Sequence, residues 1–142
     1  MILLDTNVIS ELMRENADPG VAHWFSLNEG DSALPAIAIA ELAFGIAKRP
    51  TGARRNALTQ QLAEWRLRFA DRSPGFTANT AMLYGEIMAN ARRSGHSMAV
   101  PDAQIAAIAL EHACALATRN GRDFATTSVA LINPWQAEWE LR

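Results

Sequence analysis

Four acids in this chain occupy settings where a freely solvated carboxylate is not expected. Asp5 directly follows the apolar run Ile2-Leu3-Leu4, and Glu41 is the only charged residue between Ala36 and Ala47, in AIAIAELAFGIA. Asp102 follows Pro101 and heads the segment DAQIAAIAL, while Asp123 lies in TRNGRDF, just past the apolar run ALAT. An ionised carboxylate among apolar neighbours is costly unless it is paired or bound to a metal. Carboxylates gathered in one place raise one another's pKa values, so such a cluster is stable mainly with a cation present. Ligand oxygens alone suit magnesium or manganese rather than zinc or copper. Each acid, taken singly, also has an ordinary structural reading. Asp5 can cap the helix that follows, and Glu41 can pair with an arginine or reach solvent at a sheet edge. Asp102 can be a first-turn acid favoured by the helix dipole, and Asp123 a turn aspartate.

The elements that must position these acids alternate. Ile2–Leu4 reads as a short buried strand, followed by a helix from about Thr6 to Arg14 with Val8, Ile9 and Leu12 on one side. Asp18-Pro19-Gly20 opens a second helical face carrying Val21, Trp24, Phe25 and Leu27. Asp31–Leu34 is a candidate strand. Pro35 to about Lys48 suits a helix, apolar all round and therefore expected to be buried. Pro50-Thr51-Gly52 breaks it, and a long helix follows from about Ala53 to Trp65. Leu67–Asp71 is a further candidate strand. Helices are expected from Thr77 to Arg93, ended by Ser94-Gly95, and from Pro101 to His112. Ala115–Thr118 and Val129–Ile132 complete the strands. This alternation predicts an α/β fold with a mainly parallel sheet covered on both faces. Ligands of such sheets bind beyond the carboxyl ends of the strands, which is where the four acids fall.

Bulk properties bound the remaining possibilities. A chain of 142 residues suits one domain with one core. Half its residues are apolar (49%) and a fifth charged (20%), as in ordinary globular proteins. No apolar run is long enough to span a bilayer, and MILLDTNVIS lacks the basic start and uninterrupted apolar run of a signal peptide, so the expected location is the cytoplasm. Cys114 is alone, which excludes an intrachain disulfide, and its apolar setting marks it as a core residue. His23, His96 and His112 are scattered, without zinc spacing. The formal net charge of −2 argues at first against a nucleic-acid partner. Setting aside the four acids, however, leaves eleven against thirteen Lys and Arg. The bases also fall in groups, among them Lys48-Arg49 with Arg54-Arg55, Arg66, Arg68 and Arg72, Arg92-Arg93, and Arg119 with Arg122.

The segments LLDTNVISEL, AIAIAELAFGIAKR and PDAQIAAIALEHACALATRNGRDF, with a closing short strand, resemble the PIN-domain family. The closest resemblance is to VapC-type and FitB-type toxins of toxin–antitoxin pairs. It covers nearly the whole chain in order, as a single PIN domain over residues 1–142, and Asp5, Glu41, Asp102 and Asp123 match the family's four acidic positions. Thr118 and Asn120 match polar residues beside the last acid; Ile108 stands where many relatives carry a small or hydroxylated residue. The resemblance implies a PIN-like three-layer α/β/α sandwich with a short, mainly parallel sheet. It also implies RNA cleavage with Mg²⁺ or Mn²⁺, a homodimer, and a small antitoxin that assembles with it.

No residue presents itself as a covalent nucleophile, so the expected mechanism is metal-assisted hydrolysis. Asp5, Asp102 and Asp123 are the expected ligands. Glu41 would hold or deprotonate the attacking water, and Thr118 and Asn120 would orient Asp123 or the substrate phosphate. Trp24-Phe25 and Phe44 are candidate contacts for an antitoxin helix, or else core residues. Two other functions remain open. A catalytically silent PIN-like binding domain would tolerate loss of an acid, yet all four are present. A haloacid-dehalogenase-type phosphatase would want a carboxylate two residues after Asp5, where this chain has Asn7.

Overall fold

The structure, a computed structural model, describes residues 1–136. Its elements in chain order are β1 (Ile2–Leu4), α1 (Thr6–Leu12), α2 (Pro19–Asn28), β2 (Ser32–Ala33), α3 (Ala36–Ala47), α4 (Ala53–Arg68), α5 (Ala78–Arg93), α6 (Val100–Glu111), β3 (Ala115–Ala117) and β4 (Leu131–Ile132). Single 3₁₀ turns at Glu29–Asp31 and Gly121–Phe124 precede β2 and follow β3.

Among the described residues the strands form one sheet in the order β2-β1-β3-β4, and every pair is parallel. Parallel neighbours cannot be joined by tight turns, so the helices serve as crossovers. From β1 the chain crosses to β2 on one side and later returns to β3 on the other. The strand order therefore reverses at β1, leaving a crevice beyond the carboxyl ends of β1 and β3.

The pleat divides the core in two. Ile2 and Leu4 of β1, with Ala117 of β3, pack on Val8, Trp24, Phe25 and Phe69. Leu3 and Leu116, pointing the other way, pack on Ile87, Ile105 and Ala109. Helices α1 to α4 cover the first face and α5 with α6 the second, giving the expected three-layer sandwich. Its helix ends follow local chemistry. Asp18 caps α2 by accepting from the backbone N–H groups of Gly20 (2.9 Å) and Val21 (3.1 Å), ahead of Pro19 at the first helical position. Helix α6 stops at a left-handed residue, Ala113 (φ 53°), where the Cys114 N–H donates back to the Ala109 carbonyl at 2.8 Å. That reversal delivers β3 alongside β1.

Three expectations need correction. Leu67–Asp71 is not a strand: α4 continues to Arg68, since no Gly or Pro interrupts it and Arg66 and Arg68 suit its carboxyl end. Trp65 and Phe69, one turn apart, stack at 5.9 Å, which holds this last turn against the core. The chain beyond then touches the edge of β2 through the Leu34 N–H on the Arg72 carbonyl, 2.9 Å. Helix α3 is not buried all round: Ala38, Leu42 and Ile46 face the core, while Ala40, Ala43 and Ala47 are exposed. Its apolar outer face is made of small alanines, which cost little in water, and one large side chain, Phe44. Finally, Trp24 and Phe25 are buried in the core and offer nothing to a partner, whereas Phe44 is 68% exposed.

Candidate active site

Each acid reaches the crevice from a different element. Asp5 is the first residue past β1, and its backbone N–H extends the ladder by donating to the Ala117 carbonyl at 3.0 Å. Its carboxylate is buried, 5% exposed. Oδ1 accepts from the Thr6 N–H at 2.8 Å, while Oδ2 accepts from Thr118 Oγ1 at 2.8 Å and Asn7 Nδ2 at 3.2 Å. Asp5 therefore caps α1 with one oxygen while turning the other toward β3. Glu41 projects from the middle of α3, half-buried, its Oε1 accepting from Thr6 Oγ1 at 2.6 Å. Asp102 sits in the first turn of α6, and Asp123 in the 3₁₀ turn after β3. Neither of these two side chains makes a hydrogen bond or ion pair among the described residues.

All four carboxylates line one cleft of about 510 Å³, together with Thr6, Asn7, Asn120, Arg14 and Arg119. Burial pushes the Asp102 carboxyl up to about 6, helped by the negative charges of Asp5, Asp123 and Glu41 facing it. The Asp5 carboxyl is also raised, first by burial and then by Glu41, against the opposing pull of its hydrogen bonds to Thr118, Thr6 and Asn7. No Lys or Arg among the described residues pairs with any of the four. Equally, no group of three or more described Asp, Glu, His or Cys side chains is placed to hold a metal ion as it stands. Asp5 and Glu41 are tied to hydroxyl, amide and N–H donors.

The sequence-predicted acids thus share one cleft, and of the groups Thr118 is expected to orient, Asp123 or the substrate phosphate, Asp123 is not the acid it bonds. Thr118, 1% exposed, orients Asp5 rather than Asp123, because β3 lies beside β1 in a register that pairs Leu4 with Ala117. Asn120 lines the cleft, and its backbone N–H donates to Thr118 Oγ1 at 3.1 Å. Its backbone carbonyl accepts from the Asp123 N–H at 3.0 Å. Three further residues escaped the sequence reading. Thr6 holds Glu41. Asn7 bridges Asp5 and Thr118, and its Oδ1 accepts from the Arg119 N–H at 3.2 Å. Glu11, 5% exposed, accepts from the Asp18 N–H at 3.0 Å and from Arg14 at 3.3 Å. A signal for Glu11 existed: it lies on the same helical face as Val8 and Leu12.

The strand-end cleft thus gathers four carboxylates, none in an ion pair with a Lys or Arg among the described residues, and the PIN domain profile matches residues 2–129. The chain belongs to the PIN-domain family. It is 40% identical to the toxin FitB of Neisseria gonorrhoeae over 95% of this chain and 99% of that protein. It is 38% identical to a VapC ribonuclease of Sinorhizobium fredii, over 96% and 99% respectively. Among solved structures, FitAB bound to a DNA fragment contains a chain that superposes with a TM-score of 0.89 at 38% identity. The match covers 97% of this chain and 98% of that one.

Proposed function

We propose that this protein is a Mg²⁺-dependent endoribonuclease, the toxin of a toxin–antitoxin pair. The observation that carries the proposal is the convergence of Asp5, Glu41, Asp102 and Asp123 on one cleft, with none of the four in an ion pair with a Lys or Arg among the described residues. The donor set fits a hard divalent cation: it is all oxygen, and burial together with the facing charges of Asp5, Asp123 and Glu41 holds the Asp102 carboxyl up at about 6. Asp5, Asp102 and Asp123 would hold the ion, with Mn²⁺ as a substitute. Bound there, a divalent cation would offset charge on the scissile phosphate and acidify the attacking water.

The protein's own groups supply the rest. The buried donors Thr118, Asn7 and the Thr6 N–H fix the Asp5 carboxylate in direction. Among the described residues the carboxylates of Asp102 and Asp123 carry no competing hydrogen bond, so they are available to close on an ion. Glu41 is held through Oε1 by Thr6, which leaves Oε2 to accept a proton from water aligned against the phosphate. Arg14 and Arg119 line the cleft, where their charge suits flanking phosphates.

The names of the relatives support the biological half of the reading: a FitB toxin and a VapC ribonuclease are similar over almost their whole length. By the same likeness the protein is proposed to act as a homodimer in the cytoplasm, to assemble with a small antitoxin, and to be silenced by it. No helix among the described residues is long and apolar enough to cross a membrane. Against phosphatase chemistry, the residue two past Asp5 is an amide, Asn7, already engaged with Asp5 and Thr118. The test is incubation of the pure protein with a panel of cellular RNAs, with and without Mg²⁺, and mapping of the cut ends. Internal cuts that need the metal are expected. Intact RNA beside a phosphorylated Asp5 would reverse the assignment.

A further inference from the structure

A second depression opens onto the acidic cleft. It has a volume of about 790 Å³ and shares Thr6, Ser10, Arg14 and Glu41 with that cleft, then runs between α1, α3 and the start of α4. Its floor is apolar, formed by Met13, Leu42, Ile46 and Leu58, and its far wall carries Lys48, Arg49 and Arg54. These three bases come from the break between α3 and α4, where Pro50 and Gly52 turn the chain and bring Arg49 and Arg54 to the same wall. Among the described residues, neither Arg49 nor Arg54 has a carboxylate within ion-pair distance, and Lys48 stands over the Phe44 ring, 5.3 Å from its centre. Glu41, at the junction with the acidic cleft, is the only acid in this lining.

We infer that this groove is the path of the RNA strand away from the scissile phosphate, with Arg49 and Arg54 holding the next phosphates and the apolar floor taking a base. The inference rests on the ribonuclease reading and deepens it. A polyanion whose reacting phosphate sits among four acids needs cations further along to hold it. This wall offers uncommitted guanidinium groups in a depression joined to the reaction site. The volume is that of a drug-sized ligand, roughly one to two nucleotides. Charge at phosphates and an apolar face for bases is the ordinary division of labour in single-strand binding. The net charge of −2 is no obstacle to this, because a group of acids lines the reaction site while Lys48, Arg49 and Arg54 share the adjoining groove.

The test uses single-stranded RNA carrying one mapped cut site, shortened stepwise from either end, with kcat/KM measured in Mg²⁺. Two variants are compared with the wild type. Arg49→Ala/Arg54→Ala removes two exposed side chains. Gly45→Glu places a negative charge in the groove at a position where an added Cβ meets nothing within 4 Å. In the wild type, shortening on one side of the cut should lower kcat/KM at least tenfold, whereas both variants should be insensitive to that shortening. The double variant should cut the shortest substrate as the wild type does. For the double variant the salt dependence of binding to the long RNA should fall by about 1.4 in log–log slope, at about 0.7 per phosphate contact. Equal kcat/KM on long RNA for all three proteins would overturn the inference while leaving the ribonuclease reading intact. So would variants that cut normally but no longer copurify with the product of the neighbouring open reading frame, which would make the groove a protein-binding surface. A wild type that cuts no RNA would remove the parent reading, and this one with it.

Discussion

The hydroxyl of Thr118 donates to Oδ2 of Asp5 over 2.8 Å, joining the ends of two adjacent strands whose residues lie 113 apart in the chain. Both groups are buried, so the bond fixes the direction of a carboxylate that burial alone would push toward protonation. Replacing Thr118 by Val keeps the shape and removes the donor. The variant should lose about 1–2 kcal/mol of stability and bind Mn²⁺ some 10–100-fold more weakly. Thr118→Ser should recover most of both. Denaturant unfolding and calorimetric Mn²⁺ titration measure the two effects; a folded Val variant with unchanged Mn²⁺ affinity would remove Thr118 from the site.

Asp102 makes the metal-free protein sensitive to pH. Its carboxyl is raised from 3.8 in the unfolded chain to about 6 in the fold. A raised pKa means that the folded state holds the proton more tightly. The associated stability is therefore fully present below about pH 3.8 and is lost as pH rises through about 6. Asp102→Asn should consequently stabilise the metal-free protein at pH 8, by about 1 kcal/mol after allowance for solvent screening. The advantage should shrink as pH falls below 6. Melting curves of both proteins in a chelating buffer from pH 5 to 8 provide the comparison. An advantage independent of pH would show that ionisation of Asp102 is not its origin.

Glu11 is a fifth buried or half-buried acid near the cleft, with a different job. Its carboxylate ties the end of α1 to the start of α2 through the Asp18 N–H and Arg14, and it is not among the charges that raise Asp102. Glu11→Ala should cost about 1–3 kcal/mol of stability while leaving Mn²⁺ affinity of the folded protein within about twofold. A large loss of affinity at full folding would place Glu11 among the ligands instead.

Metal binding should itself stabilise the fold, because a cation relieves the repulsion that the four acids accumulate. At a hundredfold excess over Kd the gain should be about 2.7 kcal/mol, visible as a rise in Tm. Asp5→Asn should abolish most of it together with cleavage. Wild-type melting that is indifferent to Mn²⁺ would mean that the acids do not form an ion site.

The parts of this account legible in the sequence are those where local pattern and topology agree. Strand-ending acids follow from reading Asp5 and Asp123 just past apolar runs, and the parallel sheet follows from the alternation of strands and helices. The extent of α4 was not legible, because LRFAD has strand-like residues; only the Trp65–Phe69 stack and the absence of a breaker decide for helix. The partner of Thr118 was equally hidden. Proximity in sequence pointed to Asp123, whereas strand order, a long-range property, puts the hydroxyl against Asp5. The cleft's helpers Thr6 and Asn7 look like ordinary helix-start polar residues until the fold brings α3 and β3 beside them. Trp24 and Phe25 show the converse: apolar side chains do not announce whether they face a core or a partner.

The central claim is that Asp5, Asp102 and Asp123 together hold one catalytic divalent site. Crystals grown with Mn²⁺ at a concentration that supports RNA cleavage would show it directly in an anomalous difference map. The account predicts a peak in the cleft at about 2.0–2.3 Å from carboxylate oxygens of these residues, lost in crystals of Asp5→Asn. A map without a peak there, from protein that is cutting RNA under the same conditions, would contradict it.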